Sequence, residues 1–553
     1  MKRALVAVFC AATVTTVFAT PSPQERAQTQ GTASIAGRVT AAATSKPVAG
    51  VPVMAVCYEN GAQKGATSDA QGRYELTGLP VGRYRLSVRP ERYLSMEYGQ
   101  RPPEPGKPID LADGERFDKA DFSLRRPGAI EGRLVDEFGD PAPNVTLMVS
   151  QLQFAAGRHR LMPLGGGRTI PTDDRGAFRI TGLNPGAYYV TALAGAFTDQ
   201  DAAGGFAPTF YPGTTQAGDA RPIQVGFGET VSSITFTLIP APMADLSGTL
   251  VAADGSPIDR GTVMLVPGDW QGTSAMTMGR GGSGRDGTFT FRNVPPGSYV
   301  LQAFGPPVPG GNPGGLGQAT FGWLPVTVNG TNLTNLIVRV TAGTAARGRI
   351  IFDDEEGRPK PGDVMVFPRP VEFNSAPVMG GGPPPSVVHD DFTFEVRAMN
   401  GLRVVWVNVR APGWTVKRVS LDGKDVTDVP LDFRTKDVEG LEALLTRRGA
   451  TVSGNVTDAE GAPVWEYAVI VFAEEPSRWA FPSRFVAVAR PSQDGRFKVE
   501  GLPPENYLAI AVPSVAGPEQ SPEFLESLVR DATRVALAEG EAKTLTLKLV
   551  KPR

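Results

Sequence analysis

The chain has 553 residues, with 55 lysines and arginines against 57 aspartates and glutamates, so its formal net charge is −2. A chain of this length exceeds what one hydrophobic core supports and predicts several domains. The balanced charge argues against a nucleic-acid-binding surface, since there is no basic excess to displace phosphate counterions. The 65 glycines and 50 prolines fall between alternating apolar segments, which is typical of turn-dense β structure rather than disorder.

The N-terminus has the pattern of an export signal. Lys2 and Arg3 form a short basic region, an apolar run covers residues 4–18, and Ala19 ends the small-residue pattern before a cleavage point. The run is short for a membrane-spanning helix, and no later apolar stretch approaches that length. We therefore predict a signal peptide over residues 1–19, cleaved after Ala19, and a secreted or periplasmic mature chain without a transmembrane segment.

The two cysteines fit this interpretation. A lipoprotein signal with Cys10 as the lipidated residue is the less favoured alternative, because the bulky Phe9 precedes it. After cleavage, Cys57 is the single thiol of the mature chain. The domains therefore have no internal disulfide and must rest on their own apolar cores. A polar leader, residues 20–32, separates the signal from the first domain.

A turn–strand–turn–strand motif recurs along the chain. In its clearest copy Asp494 and Gly495 supply a tight turn, Phe497 and Val499 share one strand face, and Tyr507 opens the next strand. Equivalent copies begin at Asp69, Asp174 and Asp286 and lead to Tyr84, Tyr188 and Tyr299. Four clear copies in one chain predict tandem domains of a single fold.

A second motif marks the start of each repeat as an alternating strand that contains a glycine. The five glycines are Gly37, Gly132, Gly248, Gly348 and Gly454. A glycine inside a strand indicates a close backbone approach or a bulge. The spacing of about one hundred residues is a normal size for one β-sandwich. It predicts five units, over residues 33–125, 127–240, 243–341, 345–447 and 449–550, of which the fourth is divergent.

The strands of each unit are short, alternating and separated by turns, which favours a two-sheet antiparallel sandwich. The predicted fold is all-β, a tandem array of about five Ig-like or transthyretin-like sandwiches. The joints are only a few residues long, so we expect an elongated rod with limited bending. One helix-like segment, residues 522–529, places Phe524, Leu525, Leu528 and Val529 on one face.

These motifs, taken in order, resemble the carboxypeptidase regulatory-like domain. The matching phrases in the first unit are residues 37–39, 47–51, 69–74 and 78–84. The family is a transthyretin-like, or prealbumin-like, β-sandwich that is itself non-catalytic and adjoins a zinc peptidase or a transporter plug. The resemblance implies an exported bacterial protein made of tandem accessory modules. It supplies no shared ligand, so function has to be argued from sites.

Few residues of the chain are candidates for catalysis or for metal binding. His159 and His389 are the two histidines of the chain, and Met162 and Phe392 stand where a His-x-x-Glu zinc motif requires glutamate. No serine lies in a Gly-x-Ser-x-Gly elbow. The glycine-rich loops lack the Lys-Ser/Thr of a phosphate cradle, and the acidic clusters lack the ladder of a calcium loop. We predict no catalytic residue, cofactor or metal site.

The best binding candidates are loop aromatics between the tyrosine-led strand and the closing strand of a unit. They are Tyr93 and Tyr98 in the first unit, Phe206, Phe210 and Tyr211 in the second, and Phe321 and Trp323 in the third. Trp406, Trp414, Trp465 and Trp479 extend the possibility to the last two units. Exposed rings would stack on sugars, as the resemblance to sandwich modules implies. The favoured alternative is burial at sandwich ends or joints.

Two functional hypotheses follow. The first is a non-catalytic exported protein with a structural or protein-interaction role at the cell envelope, whose partners are envelope or extracellular proteins. The second is polysaccharide binding through the loop aromatics. Nucleic acid is not an expected partner of a chain with balanced charge.

Overall fold

The structure is a computed structural model of the chain. It describes residues 31–58, 61–100, 106–155, 158–166, 169–193, 205–268, 279–306, 320–371, 386–479, 483–492, 494–513 and 521–551. The predicted signal peptide and residues 20–30 of the leader lie outside the described residues. The regular secondary structure of the described part is almost entirely β-strand, so the prediction of an all-β tandem array of sandwiches is confirmed.

The first unit packs two sheets face to face. Its strands are β1 (Ala33–Ala41), β2 (Pro52–Cys57), β3 (Gln63–Thr67), β4 (Arg73–Leu79), β5 (Gly82–Val88), β6 (Met96–Glu97), β7 (Ile109–Leu111), β8 (Arg116–Phe117) and β9 (Phe122–Leu124). One sheet places β1 between β4 and the pair β8 and β9, and the other has the order β3-β2-β5-β6, with β7 also on β5. Strand residues alternate between buried and exposed, as a half-buried sheet requires.

The second unit repeats this plan with longer strands. They are β10 (Gly128–Val135), β11 (Thr146–Ala155), β12 (Arg158–Pro163), β13 (Thr169–Pro171), β14 (Ala177–Leu183), β15 (Gly186–Leu193), β16 (Gly205–Ala207), β17 (Thr209–Phe210), β18 (Ile223–Val225), β19 (Thr230–Thr237) and β20 (Ile239–Ala241). The sheet β14-β10-β19 faces the sheet β12-β11-β15-β17, and β16 pairs with β20 beside the third unit.

The third and fourth units continue the series. The third contains β21 (Ala244–Val251), β22 (Thr262–Pro267), β23 (Gly279–Gly282), β24 (Thr288–Val294), β25 (Gly297–Phe304), β26 (Phe321–Val328) and β27 (Leu333–Arg339). The fourth contains β28 (Thr344–Phe352), β29 (Val364–Pro370), β30 (Ser386–Val387), β31 (Thr393–Met399), β32 (Leu402–Val409), β33 (Thr415–Leu421), β34 (Lys424–Asp425), β35 (Leu431–Asp432) and β36 (Val438–Thr446). The sheet β31-β28-β36-β33-β34 of the fourth unit extends beyond those of its neighbours, because β33 adds to its edge.

The fifth unit adds a helix to the sandwich. Its elements are β37 (Ala450–Thr457), β38 (Pro463–Val464), β39 (Ala468–Ala473), β40 (Val486–Ala489), β41 (Arg496–Leu502), β42 (Glu505–Val512), α1 (Pro522–Leu528), β43 (Thr533–Leu537) and β44 (Ala542–Lys548). The side chain of Ser521 caps the helix, since its oxygen accepts a hydrogen bond from the Phe524 N–H. Leu525 and Leu528 are buried against the outer face of β39 and β42, which confirms the predicted helix and its apolar face.

Short 3-10 helices lie in the connections. Their bounds are Leu164–Gly166, Ala217–Asp219, Pro361–Asp363, Pro476–Trp479 and Val529–Asp531. Among the described residues, no helix combines the length and the apolar character that crossing a bilayer requires.

Each main apolar core is drawn from one stretch of the chain. The cores use residues 33–124, 130–238, 244–340, 346–445 and 450–547. Cys57 is buried within the first core and is not part of a disulfide. Burial of apolar side chains in these separate cores is the main stabilising term for each unit. The exact domain boundaries stay a prediction.

The repeated start glycine lies where two strands approach too closely for a side chain. A Cβ atom at Gly132 would lie 1.9 Å from the Ile234 carbonyl oxygen, and one at Gly248 would lie 2.2 Å from the Leu336 oxygen. The equivalent distances are 2.1 Å at Gly37, 2.2 Å at Gly348 and 1.8 Å at Gly454. The predicted close backbone approach is therefore confirmed. At these glycines the first strand of the unit runs beside the closing segment, and its pairing with the closing strand is parallel, a departure from a purely antiparallel sandwich.

The tyrosine of the repeated motif is also explained by its contacts. In four units its hydroxyl donates a hydrogen bond to the carbonyl four residues earlier: Tyr84 to Pro80 at 2.8 Å, Tyr188 to Asn184 at 2.7 Å, Tyr299 to Pro295 at 2.9 Å and Tyr507 to Pro503 at 2.9 Å. Each ring is buried in the core of its unit. The bond ties the turn between two strands to the interior.

The array folds back on itself. The Lys107 ammonium donates to the Trp465 carbonyl at 3.4 Å, and His159 Nε2 lies 4.0 Å from the Glu523 carboxylate. These contacts join the first and second units to the fifth, so the prediction of an extended rod is wrong. Short joints restrict how each unit moves against its neighbour, but they still allow units that are distant in sequence to come into contact.

Candidate functional site

The aromatic candidates occupy three kinds of environment. Phe210 and Phe321 are buried, with 2% and 4% of their surface exposed. Tyr93 and Tyr98 are half-buried and pack against the first core, and Phe206 and Tyr211 do the same against the second. Trp323 is 39% exposed. An open ring face for stacking is therefore available at Trp323 but not at the two buried phenylalanines.

Several of these aromatics lie on strands rather than on loops. Phe206 is in β16, Phe210 in β17, and Phe321 and Trp323 are in β26. Phe210 pairs with Thr191 of β15, and Phe321 pairs with Phe304 of β25 at the edge of the sheet. Phe321 packs inward, with its ring centroid 5.3 Å from that of Phe304, whereas Trp323 is left at the surface.

The tryptophans of the last two units divide in the same way. Trp414 and Trp479 are buried, and their indole N–H groups donate to the Gly357 and Ala473 carbonyls at 3.0 and 2.7 Å. Trp406 lies under the Arg369 guanidinium, 4.3 Å from its ring centroid. Trp465 is 55% exposed. A buried indole whose N–H is hydrogen-bonded contributes to packing of the core. Trp414 and Trp479 therefore match the alternative of burial rather than that of sugar stacking.

The two histidines belong to different units and do not form a shared site. His159 is exposed in β12, where its ring lies edge-on to Phe154, and His389 is exposed before β31. No group of three or more histidine, cysteine, aspartate or glutamate side chains among the described residues is arranged to hold a metal ion.

A cleft with a volume of about 760 Å³ lies at the joint between the fourth and fifth units. We call it the joint cleft. The fourth unit contributes β33 and the segment that follows β34, and the fifth contributes its 3-10 helix, the turn between β41 and β42 and the turn before β44. The charged side chains that line it are the cations Lys417, Arg418, Arg448, Arg478 and Arg484 and the anions Asp425, Asp428, Glu505 and Glu539.

Arg484 connects the two walls of the joint cleft. Its Nε donates to the Asp428 carboxylate at 3.2 Å, and its Nη1 donates to the Val416 and Lys417 carbonyls at 3.3 and 3.2 Å. Those carbonyls belong to β33, which lacks a full-length partner on its outer side. An open strand edge exposes unpaired backbone groups, so a guanidinium with five donors in a fixed plane suits this position.

A second set of contacts crosses the same joint. The Lys417 ammonium pairs with the Glu539 carboxylate, and the Thr415 hydroxyl donates to the Gly501 carbonyl at 3.3 Å. The hydrogen bond from Lys417 lowers the pKa of Glu539, so this carboxylate stays ionised over a wide range of pH. The two units are thus held together by polar contacts on both sides of the cleft.

Three exposed arginines of the joint cleft have no carboxylate within ion-pair distance in the part of the chain that the structure describes. They are Arg418 on β33, Arg448 in the linker before β37, and Arg478 in the 3-10 helix Pro476–Trp479. The Arg478 guanidinium lies 4.7 Å from the centroid of Phe485. Burial alone would raise the pKa of Asp425, but hydrogen bonds from Thr427 and the charges of Arg484 and Arg418 hold it below its usual value.

A second cleft of about 410 Å³ lies between the second and third units. Its lining is mainly apolar and rich in proline, with Pro208, Pro240, Pro267 and Pro296 together with Phe210. Phe210 is therefore a joint-filling residue, which is the favoured alternative of the sequence analysis at this position.

Sequence reasoning did not find the joint cleft. Its charged residues are spread from 417 to 539, and no single motif contains more than a few of them. The available signal was weak: Arg447 and Arg448 follow the last strand of the fourth unit as a basic pair at a predicted domain joint.

Comparison with known proteins identifies one segment of the chain. Residues 34–125 match the family model of the carboxypeptidase regulatory-like domain. No curated protein matches the chain.

Solved structures give only distant likenesses. A streptococcal ancillary pilin is 13% identical, with a TM-score of 0.19, and the match covers 56% of this chain and 98% of that one. GBS52, the minor pilin of Streptococcus agalactiae, is 15% identical with a TM-score of 0.22, covering 38% and 96%. The Bacillus anthracis TIE protein is 13% identical with a TM-score of 0.16, covering 72% and 69%. At these values the likenesses carry no functional inference. The predicted resemblance to the carboxypeptidase regulatory-like domain is thus confirmed for residues 34–125, which make up most of the first unit.

Proposed function

We propose that this protein is an exported, non-catalytic scaffold that acts through protein–protein contacts at the cell envelope. The observation that carries the proposal is the series of separate β-sandwich cores joined by specific polar contacts, as between Arg484 and the fourth unit. Such an array presents a large, firmly held surface. The matched domain family is itself non-catalytic, which agrees with this role.

The export part of the proposal rests on the N-terminal pattern of residues 1–19 and is tested separately. Expression of the full chain in a bacterial host, followed by N-terminal sequencing of the product outside the cytoplasm, should give a chain that begins after Ala19. A chain that stays in the cytoplasm with its N-terminus intact would contradict export.

The interaction part is tested by cross-linking in cells that express the full chain. We expect recovery of a small set of envelope proteins at a fixed ratio to the bait. A matched control bait is the same export signal fused to the first unit alone, residues 20–125, which carries its own apolar core. Recovery of the same proteins by both baits, or of none by the full chain, would contradict a role for the assembled array.

Polysaccharide binding is the second candidate, because Trp323 keeps an exposed ring on β26. Retention of the mature chain on insoluble polysaccharides should then fall in Trp323→Ala. Phe138→Ala is the control, since Phe138 is 83% exposed and lies in a turn outside every candidate group. No retention of the parent chain, or equal loss in both variants, would remove this candidate.

A further inference from the structure

The joint cleft contains three guanidinium groups that form no ion pair with a carboxylate among the described residues. Lys417 and Arg484 hold the two units together through Glu539 and Asp428. The guanidinium groups of Arg418, Arg448 and Arg478 have no such partner among the described residues, although they line the same cleft. An exposed guanidinium in a cleft that is not held in an ion pair can accept a carboxylate from a ligand, to which it presents two parallel donors.

The volume and position of the cleft suit a ligand. Binding sites occur preferentially between domains and measure roughly 300–1,000 Å³, and the joint cleft, at about 760 Å³, falls inside that range. The three arginines come from β33, from the linker and from a 3-10 helix, so three separate segments of the chain bring them to one cleft. A ligand that satisfies all three needs several carboxylates spaced along its length.

The charges and the aromatic residue of the cleft lining favour some acidic ligands over others. Its five cations exceed its four anions by one, so a densely charged polyanion would meet Asp425 and Glu505 as well as the arginines. The aromatic residue of the described lining, Phe485, is 5% exposed and has guanidinium groups 4.7 and 5.1 Å from its centroid, so it offers no open face to a sugar ring. An extended peptide with spaced acidic side chains fits both features.

We infer that the joint cleft binds an acidic segment of a partner protein, with Arg418, Arg448 and Arg478 each receiving a carboxylate. The inference rests on the proposed protein-interaction role and gives that role a site and a ligand chemistry. Because both units supply arginines, the bound segment also bridges the fourth and fifth units. Binding should therefore fall as salt screens the exposed charges.

The test uses the full mature chain and a fluorescein-labelled peptide of alternating glutamate and serine, followed by fluorescence anisotropy at low ionic strength. The site variant is Arg418→Gln, Arg448→Gln, Arg478→Gln. The matched control is Arg221→Gln, Arg292→Gln, Arg410→Gln, which removes the same charge from exposed positions outside the cleft. We expect the control to bind as the parent does and the site variant to bind at least about tenfold more weakly, since each lost charge-assisted bond contributes to affinity.

Equal weakening in both variants would show general charge attraction and overturn the inference. So would absence of peptide binding by the parent, or binding of polygalacturonate in its place. Unchanged melting temperatures of both variants show that loss of binding is not loss of folding. If the parent recovers envelope proteins by cross-linking and the site variant recovers them equally, the proposed function stands and the joint cleft is not its site.

Discussion

Substitution of the start glycine by alanine should strongly destabilise the unit that carries it, and the second unit allows the cause to be isolated. A Cβ atom at Gly132 would lie 1.9 Å from the Ile234 oxygen and 2.6 Å from Phe178 Cζ, whereas real Cβ atoms essentially never come within 3.0 Å of another group. Strands β10 and β19 would have to separate by about 1 Å, which a closely packed interior resists.

The cost can be worked from two terms. Overpacking of a core costs about 1–3 kcal/mol, and each ladder hydrogen bond disturbed between β10 and β19 adds about 1 kcal/mol. With one or two such bonds the total is about 2–5 kcal/mol, a large part of the roughly 5–15 kcal/mol that stabilises a domain. Since 1 kcal/mol shifts the melting temperature of a unit this size by about 4–8 °C, we expect the second unit of Gly132→Ala to melt at least about 8 °C lower.

The same unit contains two control glycines. Gly139 has φ +87° and no atom within 4 Å of its Cβ position, so Gly139→Ala tests backbone conformation alone and should cost about 1 kcal/mol. Gly218 has neither a positive φ nor a close neighbour, so Gly218→Ala should change stability by less than about 0.5 kcal/mol.

The assay is calorimetry of the full chain combined with hydrogen exchange read on peptides of the second unit. Several units melt in one chain, so peptide-resolved exchange assigns the transition to its unit. The expected order of destabilisation is Gly132→Ala, then Gly139→Ala, then Gly218→Ala. If Gly132→Ala were no worse than Gly218→Ala, the close approach of β10 and β19 would not explain the repeated glycine.

Three further predictions follow from single contacts. Tyr188→Phe removes a buried hydroxyl bond and should destabilise the second unit by about 1–2 kcal/mol, while its neighbour Tyr189→Phe, on the other strand face, should be nearly neutral in the same melts. Arg484→Gln should speed hydrogen exchange in β33 without changing exchange in the first unit, because the Gln amide cannot reproduce the contacts with Asp428 and two carbonyls. Hydrogen bonds from a backbone N–H and from Arg347 lower the pKa of Asp437, so the stability it contributes is present above the unfolded pKa of about 4 and is lost as pH falls through the folded pKa. Arg347→Gln should raise the pKa of Asp437 in an NMR titration and weaken the acid dependence of the fourth unit; an unchanged titration would contradict the assignment.

The repeat architecture could be predicted from the sequence because its signals are local. The Asp-Gly turn, the alternation of Phe497 and Val499 and the strand that begins near Tyr507 all lie within fourteen consecutive residues, and the structure keeps them as β41, a turn and β42. A glycine inside a strand, such as Gly454, is also a local signal, because it predicts the close approach of a neighbouring backbone.

The joint cleft and the placement of the aromatics could not be predicted in the same way, because both depend on contacts between distant segments. Arg484 gives no sign in the sequence that it will reach the Val416 carbonyl, and the bend that brings Lys107 to Trp465 is set by several joints together. For Phe321 and Trp323, two residues apart in one strand, alternation alone would suggest a common face. Phe321 is instead buried at the sheet edge while Trp323 stays exposed.

The fourth unit shows how the fold survives without one of its motifs. It has no tyrosine at the start of β32, and Arg403 is fully buried there instead. Arg403 Nε donates to the Asn400 carbonyl at 2.8 Å, in the turn where the other units accept the tyrosine hydroxyl, and its Nη1 donates to the Pro368 carbonyl at 3.3 Å. Burial lowers the pKa of Arg403 to about 10, because enclosure in the core disfavours the charged guanidinium. The turn therefore requires a hydrogen-bond donor from the interior rather than a tyrosine as such. A sequence pattern defined by the aromatic ring does not detect the fourth unit, because a guanidinium supplies the donor there.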